Sequence, residues 1–380
     1  MKKNYFKNTL LFLFTSGICF GFLEIFTRTI IPHQFWRTVD VSKDFWDLNK
    51  DMGWKNKNNL NIEFGNTNGE LILLRTNSDG IYPHDARRIK SLSKEKLRIA
   101  LIGDSTVMGR SVNEGKRLAD ILENELNTNS DTLKFEVISF AVEGHNIEQV
   151  YAQYNYFEKD YKPDIILYGI CHNDWDDIGK GYVNNFPKPY IYLDEENKIQ
   201  LEKANLKKEQ LKNNTISYTP SLIRRLVNSS AVYRIIRLYG PLHAKKIGIN
   251  FEKKRESYLP ISRKLDQKET FIVRAILNEL SSRNDQRFFF YVFPDVFESE
   301  LSIVKTYNNG NYDNYQFRRR LREIIKGTKA EDKYLEVIND FVKIKGEQIT
   351  HLLPYDFHLN TMGFQILAEI LANEILIKEL

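Results

Sequence analysis

With 380 residues, 42% of them hydrophobic, the chain can bury one large core with room for a sizeable insertion, which excludes an intrinsically disordered polymer. Basic residues outnumber acidic ones by 55 to 50, giving a formal charge of +5, and they are scattered in groups such as Lys253-Lys254-Arg255 and Arg318-Arg319-Arg320. This mild bias fits a solvated basic face with anionic glycan or lipid headgroups as partners. No zinc-finger spacing, Walker loop or aromatic RNA-binding signature is present, so the reading is no nucleic acid.

Asn8 to Leu23 carries no charge and is rich in Leu and Phe, with Lys2, Lys3 and Lys7 before it and Glu24 and Arg28 after it. Counted to Thr27 it is about 20 residues, enough to cross a hydrocarbon core if Glu24 sits near the far interface. No small-x-small cleavage site precedes Pro32, and the bulky Ile18 before Cys19 does not suit a lipoprotein signal. Residues 1–30 therefore read as an uncleaved, single-pass membrane anchor, with a cleaved signal peptide as the alternative. Three lysines ahead of the segment against two arginines after it place the N-terminus in the cytoplasm and the remainder outside it. The only cysteines, Cys19 and Cys171, leave the redox compartment undecided.

Residues 31–96, rich in Asn, Lys and Gly, read as a connecting region of short strands and loops, with turn signals at Gly53, Gly65 and Asn77-Ser78-Asp79-Gly80. An alternating pattern then sets in. Leu97 to Ile102, Phe135 to Phe140 and Asp164 to Ile170 are predicted strands, separated by helices over Glu114 to Asn127 and Ile147 to Tyr161. Residues 181–265 form a polar, Lys- and Tyr-rich insertion with a helix expected over Pro220 to Tyr239; it is either a surface packing element or a substrate lid. Beyond it follow a helix from Gln267 to Ser282, a strand from Phe288 to Phe293, a helix from Tyr315 to Lys326, a short strand from Tyr334 to Ile338, and a final helix from Thr361 to Leu380. Continuous apolar strands between amphipathic helices predict a parallel sheet covered on both faces, with function at the C-terminal ends of its strands.

Ser105, Gly144 and Asn173 each fall a few residues past one of the first three strands, and Asp356 and His358 lie just before the last helix. A serine hydroxyl becomes a useful nucleophile when an imidazole takes its proton and a carboxylate fixes that imidazole. Ser105, His358 and Asp356 supply the set, and in extended backbone residues two apart project to the same side.

Gly103-Asp104-Ser105-Thr106-Val107-Met108-Gly109 resembles the first block of the SGNH/GDSL hydrolase family, and Ser139-Phe140-Ala141-Val142-Glu143-Gly144-His145 resembles its second. Cys171-His172-Asn173-Asp174 is similar to the third block, with Cys171 where the family usually has glycine, and Asp356-Phe357-His358-Leu359-Asn360 to the fifth. Leu23-Glu24-Ile25-Phe26-Thr27-Arg28, Met52-Gly53-Trp54 and the Asn77 turn further resemble a membrane-anchored bacterial branch associated with cell-surface glycans. The resemblance implies a three-layer α/β/α sandwich around a central parallel five-stranded sheet, flavodoxin-like, over residues 97–380. It implies Ser105 as nucleophile, His358 as general base and then acid, and Asp356 as its orienting carboxylate. Backbone N–H groups of Ser105 and Gly144 with the Asn173 amide would form the oxyanion hole, each such donor lowering the barrier by roughly 3 kcal/mol. His172 and His145, beside these donors, are candidate substrate contacts.

The expected activity is hydrolysis of ester groups, O-acetyl groups of glycans above all, without cofactor or metal. Transfer of the acyl group to a sugar hydroxyl by the same triad is the alternative, because water and sugar can resolve the same acyl-serine. Two other classes compete: a membrane-tethered interaction protein on an inactive scaffold, and a metallophosphoesterase built on Asp104, His172, Asp174, Asp356 and His358. The latter needs an early Asp-x-His and a later Gly-Asn-His, the opposite of the order here.

Overall fold

A computed structural model describes residues 2–31, 44–66, 70–83, 96–183, 186–206, 230–233, 236, 264–283, 286–300, 315–352 and 358–379. The chain divides into two compact units, one drawn from 1–40, 63–72 and 217–254, the other from 41–62, 73–216 and 255–380.

The smaller unit contains α1 (Lys2–Ile30), in which the 24 residues Lys7–Ile30 are long and apolar enough to span a membrane. An acid in such a helix has to be satisfied. The Glu24 carboxylate accepts hydrogen bonds from Ser230 Oγ at 2.7 Å, Ala231 N at 2.8 Å, Val232 N at 3.1 Å and Arg28 Nε at 2.7 Å. Most of the helix expected over Pro220 to Tyr239 lies outside the described residues; 231–233 and 236 are helical.

The larger unit opens with an antiparallel hairpin, β1 (Trp46–Asn49) and β2 (Gly53–Asn56); in chain order β3 (Asn61–Gly65) and β4 (Leu71–Arg75) follow, and their residues 63–65 and 71–72 belong to the smaller unit. Then come β5 (Lys96–Gly103), α2 (Ser105–Met108), α3 (Leu118–Thr128), β6 (Lys134–Ser139), α4 (Ile147–Tyr161) and β7 (Ile165–Ile170). Two small antiparallel hairpins start the insertion, β8 (Tyr182–Val183) with β9 (Phe186–Pro187), and β10 (Tyr190–Leu193) with β11 (Ile199–Glu202). The remainder comprises α5 (Gln267–Ser281), β12 (Arg287–Val292), α6 (Val296–Ser299), α7 (Gln316–Ile325), β13 (Tyr334–Leu335), α8 (Ile338–Lys345) and α9 (Thr361–Glu379).

Five strands form one parallel sheet in the order β6-β5-β7-β12-β13, which counted among themselves is 2-1-3-4-5. Alternation along each strand decides which layer a side chain joins. Ala100, Ile102, Ile166, Tyr168, Phe288 and Phe290 share a core with Val150 and Tyr154 of α4, Ile272 and Ile276 of α5, and Leu321 of α7. The intervening Ile99, Leu101, Val137, Leu167 and Phe289 are equally buried on the other face, the side of α3 and α9. The architecture is the three-layer α/β/α sandwich that the alternating pattern implies.

Several boundaries move for local reasons. The helix expected from Glu114 begins only at Leu118, because Gly115 takes φ +80° and donates its N–H to Asp120 Oδ2 at 2.8 Å. The strand expected over Tyr334 to Ile338 is two residues long, and Ile338 instead starts α8, whose Ile338 and Phe341 are buried one helical turn apart. The insertion is less bland at its start than its polarity suggested. The fully buried Lys188 pairs with the fully buried Glu148 at 2.5 Å, and Glu148 also accepts from Ile191 N at 2.7 Å and Gly179 N at 3.0 Å. These bonds fasten Gly179, Lys188 and Ile191 to the first turn of α4.

Gly103 closes β5 in a conformation with φ +155°, where a Cβ would stand 2.4 Å from Val107 Cγ2 and 2.8 Å from the Gly169 carbonyl oxygen. That close approach seats α2 against β7. Replacing Gly103 with Ala is expected to destabilise the chain by about 3 kcal/mol. The check is a lowered urea midpoint at unchanged slope.

Candidate active site

The turns after β5, β6 and β7 meet where strand order reverses, the crevice in which open α/β sheets bind ligands. Asp104 shapes the first turn. Its buried carboxylate accepts Thr106 N at 2.9 Å and Thr106 Oγ1 at 2.7 Å through Oδ1, capping α2, so that Ser105 heads the helix half-buried. Ser105 Oγ stands 2.9 Å from Nε2 of His358.

His358 arrives from the far end of the chain. The Leu352 N–H donates to the His358 carbonyl at 2.9 Å, His351 and Leu359 form a bridge, and Asn360 N donates to the Thr350 carbonyl at 2.9 Å. Asn360 then caps α9, accepting Gly363 N at 3.0 Å. Asp356, two residues before the histidine, lies outside the described residues.

Asn173 sits in a short 3₁₀ turn, His172–Trp175, and its amide donates to Asp104 Oδ2 at 2.7 Å. Gly144 is exposed in the turn between β6 and α4 with φ +78°, its Cα backed by Trp46 and Trp54. Behind Asn173 the buried Asp174 accepts from Cys171 N at 3.0 Å and Tyr168 Oη at 3.1 Å. Burial and the nearby Asp104 charge push its carboxyl well above the usual range.

The two histidines expected beside the oxyanion donors separate. His145 is completely buried, with Nε2 donating to the Trp54 carbonyl at 2.9 Å and its ring 5.4 Å from the Trp54 ring. Burial drives its pKa down to about 4, so it is a neutral packing residue and its expected contact with substrate is corrected. His172 stays at the surface of the site. Its Nδ1 lies 3.3 Å from Asp295 Oδ2 and 3.5 Å from Cys171 Sγ.

Asp295 escaped the sequence reading although the available signal was the one that found the others, since Phe293-Pro294-Asp295 follows directly on β12. The upstream residues were also underestimated. Trp54 Nε1 donates to the Glu143 carbonyl at 3.0 Å, Asn56 Nδ2 to the Ala141 carbonyl at 3.2 Å, and Gln149 Nε2 to the Met52 carbonyl at 3.1 Å. Trp46 and Trp54 stack with centroids 4.8 Å apart, and Phe186 meets both edge-on. Among the described residues no group of three or more ligating side chains is placed to hold a metal ion.

No protein-family model and no curated protein matches the sequence. Solved structures similar to this chain include the acetyl xylan esterase AlAXEase, at 13% identity over 73% of this chain and 100% of that one, with a TM-score of 0.37. A second is an acetylxylan esterase from Geobacillus stearothermophilus, at 13% identity over 76% of this chain and 96% of that one, with a TM-score of 0.35. A third is a lipase from a goat rumen metagenome, at 13% identity over 73% and 96%, with a TM-score of 0.35.

The strand that carries His358 is braced by a buried carboxylate. Glu300 accepts Thr350 N and Thr350 Oγ1, each at 2.9 Å, and Lys345 Nζ at 3.1 Å, with His351 Nδ1 at 3.6 Å. Burial raises its pKa, but these donors outweigh burial and hold it at about 2. A depressed carboxylate stabilises the fold above its unfolded pKa of about 4.3 and loses that contribution as pH falls towards 2. Glu300→Gln is therefore expected to cost on the order of 1–2 kcal/mol at pH 7, with the gap to wild type narrowing below about pH 4 and closing only near pH 2. Urea unfolding of both proteins across that range measures it.

Proposed function

We propose that this chain is a membrane-anchored serine esterase that removes O-acetyl groups from cell-surface glycans. The observation that carries the reading is the 2.9 Å approach of Ser105 Oγ to His358 Nε2 at the reversal of strand order, from residues more than 250 positions apart. In this reading His358 Nε2 takes the Ser105 proton as Oγ attacks the ester carbonyl, and the negative charge passes to the carbonyl oxygen. The N–H groups of Ser105 and Gly144 and the second amide hydrogen of Asn173 receive it. Collapse breaks the ester C–O bond, and the imidazolium returns its proton to the leaving sugar oxygen. Water then attacks the acyl-serine with His358 again as base, releasing the acid and restoring Ser105.

Asp356 is assigned as the carboxylate that orients His358, on sequence spacing. The helix α1 is assigned as the anchor, with the catalytic unit outside the cytoplasm, from the lysine and arginine balance around it. Transfer to a glycan hydroxyl differs only in the nucleophile that resolves the acyl-serine.

The full-length protein in detergent is expected to be labelled by a fluorophosphonate and to hydrolyse p-nitrophenyl acetate. Ser105→Ala should abolish labelling and lower kcat by roughly 10⁴-fold. Labelling that survives in Ser105→Ala, or a folded wild type that neither labels nor hydrolyses, overturns the assignment. Supplying an acyl donor together with glycans, and counting acyl groups on sugar against free acid, distinguishes transferase from hydrolase.

A further inference from the structure

A closed circuit of contacts surrounds the serine. Ser105 Oγ meets His358 Nε2 at 2.9 Å, and the His358 carbonyl receives Leu352 N at 2.9 Å. The neighbouring His351 donates through Nε2 to the Pro294 carbonyl at 3.3 Å, and the next residue, Asp295, pairs with His172 at 3.3 Å. Asn173 follows His172 and returns to Asp104 at 2.7 Å, beside Ser105. The His172–Asp295 pair therefore links the turn after β12 to the turn that carries Asn173, and the ring of contacts closes on Asp104 beside Ser105.

The pair has an inner and an outer member. The Asp295 side chain is 23% exposed and that of His172 39%. Asp295 is fixed from both ends: Oδ1 accepts Phe297 N at 2.8 Å as the cap of α6, which leaves Oδ2 for His172. The α6 segment is itself pinned, since Glu298 accepts from the buried Arg318 at 2.8 Å through Nε and 2.7 Å through Nη2. With Nδ1 turned to Asp295 and Cys171, Nε2 of His172 is the edge left for a ligand.

We propose that His172, held by Asp295 with its Nε2–H directed outward, is a recognition residue for an anionic substituent on the substrate, a carboxylate or phosphate carried by the acetylated sugar. This deepens the esterase reading and rests on it. Burial works against the charged imidazole, but the Asp295 carboxylate 3.3 Å from Nδ1 favours it, and the balance is an upward shift. Burial alone would raise the Asp295 pKa, but the His172 contact and the Phe297 N–H outweigh it and hold the carboxyl below its ordinary value, so the carboxylate that supports the charge is ionised. A charged donor gains about twice as much from an anionic acceptor as a neutral pair does, which favours an acid sugar over a neutral one. The +5 net charge of the chain acts in the same direction.

The test compares O-acetylated methyl glucoside, methyl glucuronoside and methyl glucoside 6-phosphate as substrates of the full-length enzyme. Wild type should show a KM at least tenfold lower for one or both anionic esters at similar kcat, and sodium chloride should shrink the difference. His172→Gln should erase the preference for the anionic esters, and His172→Arg should restore it. Which anionic ester gains tells carboxylate from phosphate. Equal KM for all three in wild type, or a preference that survives in His172→Gln, overturns the proposal.

Should no ester turn over, binding of the same sugars without acetyl groups decides separately. A shift of the His172 ring resonances with methyl glucuronoside or the 6-phosphate but not with methyl glucoside supports the anion site, and no shift with either overturns it. The esterase reading fails independently, by absent fluorophosphonate labelling.

Discussion

The Asp104 carboxylate is the joint on which the site depends. It is completely buried, and a carboxylate removed from water must be surrounded by donors or it unfolds what holds it. Its two oxygens are shared between turns: Oδ1 fixes Thr106 and so the start of α2, while Oδ2 takes the Asn173 amide at 2.7 Å. The first and third turns of the sheet are thus fixed relative to each other through one side chain. The parallel register supplies the rest, since Gly103 and Gly169 are opposite each other at the ends of β5 and β7.

The middle turn is held differently, from outside the sheet. The β1–β2 hairpin donates Trp54 Nε1 and Asn56 Nδ2 to carbonyls at positions 143 and 141, and receives Gln149 Nε2 in return. Tyr82 adds a backbone bridge to Ser139, with Ser139 N donating to the Tyr82 carbonyl at 2.9 Å. A passive connecting segment needs no such bonds. These serve as a brace for the Gly144 loop, and Phe186 of the insertion completes it by packing on both tryptophans. The start of the insertion therefore packs against the brace of the Gly144 loop, and its buried Lys188–Glu148 pair ties it to α4.

Much of this was legible in the sequence because burial on both faces leaves strands continuously apolar. Leu97 to Ile102 and Asp164 to Ile170 announce themselves, and the strand-end rule then locates Ser105 and Asn173. What could not be read had a different physical origin. The β1–β2 brace works through side-chain bonds to backbone carbonyls almost 90 residues away, which leave no periodicity. The short β13 and the helix α8 share one apolar stretch, Tyr334 to Phe341, in which a two-residue strand cannot establish its period before the chain turns. Asp295 was available to the same strand-end rule, yet an aspartate after Pro294 also reads as an ordinary helix cap, and it is one, through its other oxygen.

Histidine shows most clearly why residue type and adjacency are insufficient. His145 and His172 are each next to a proposed oxyanion donor, and their surroundings send them in opposite directions. His145 has a backbone carbonyl on Nε2 and a tryptophan ring beside it, so desolvation dominates and it stays neutral. His172 has a carboxylate on Nδ1 and an open outer edge, so the charged form is favoured. His351 spends its ring on Thr350 and the Pro294 carbonyl, bracing the strand that delivers His358 to Ser105. One titratable side chain thus fills three positions around a single serine in three states of engagement, and what separates them is which atom occupies the first hydrogen-bonding nitrogen.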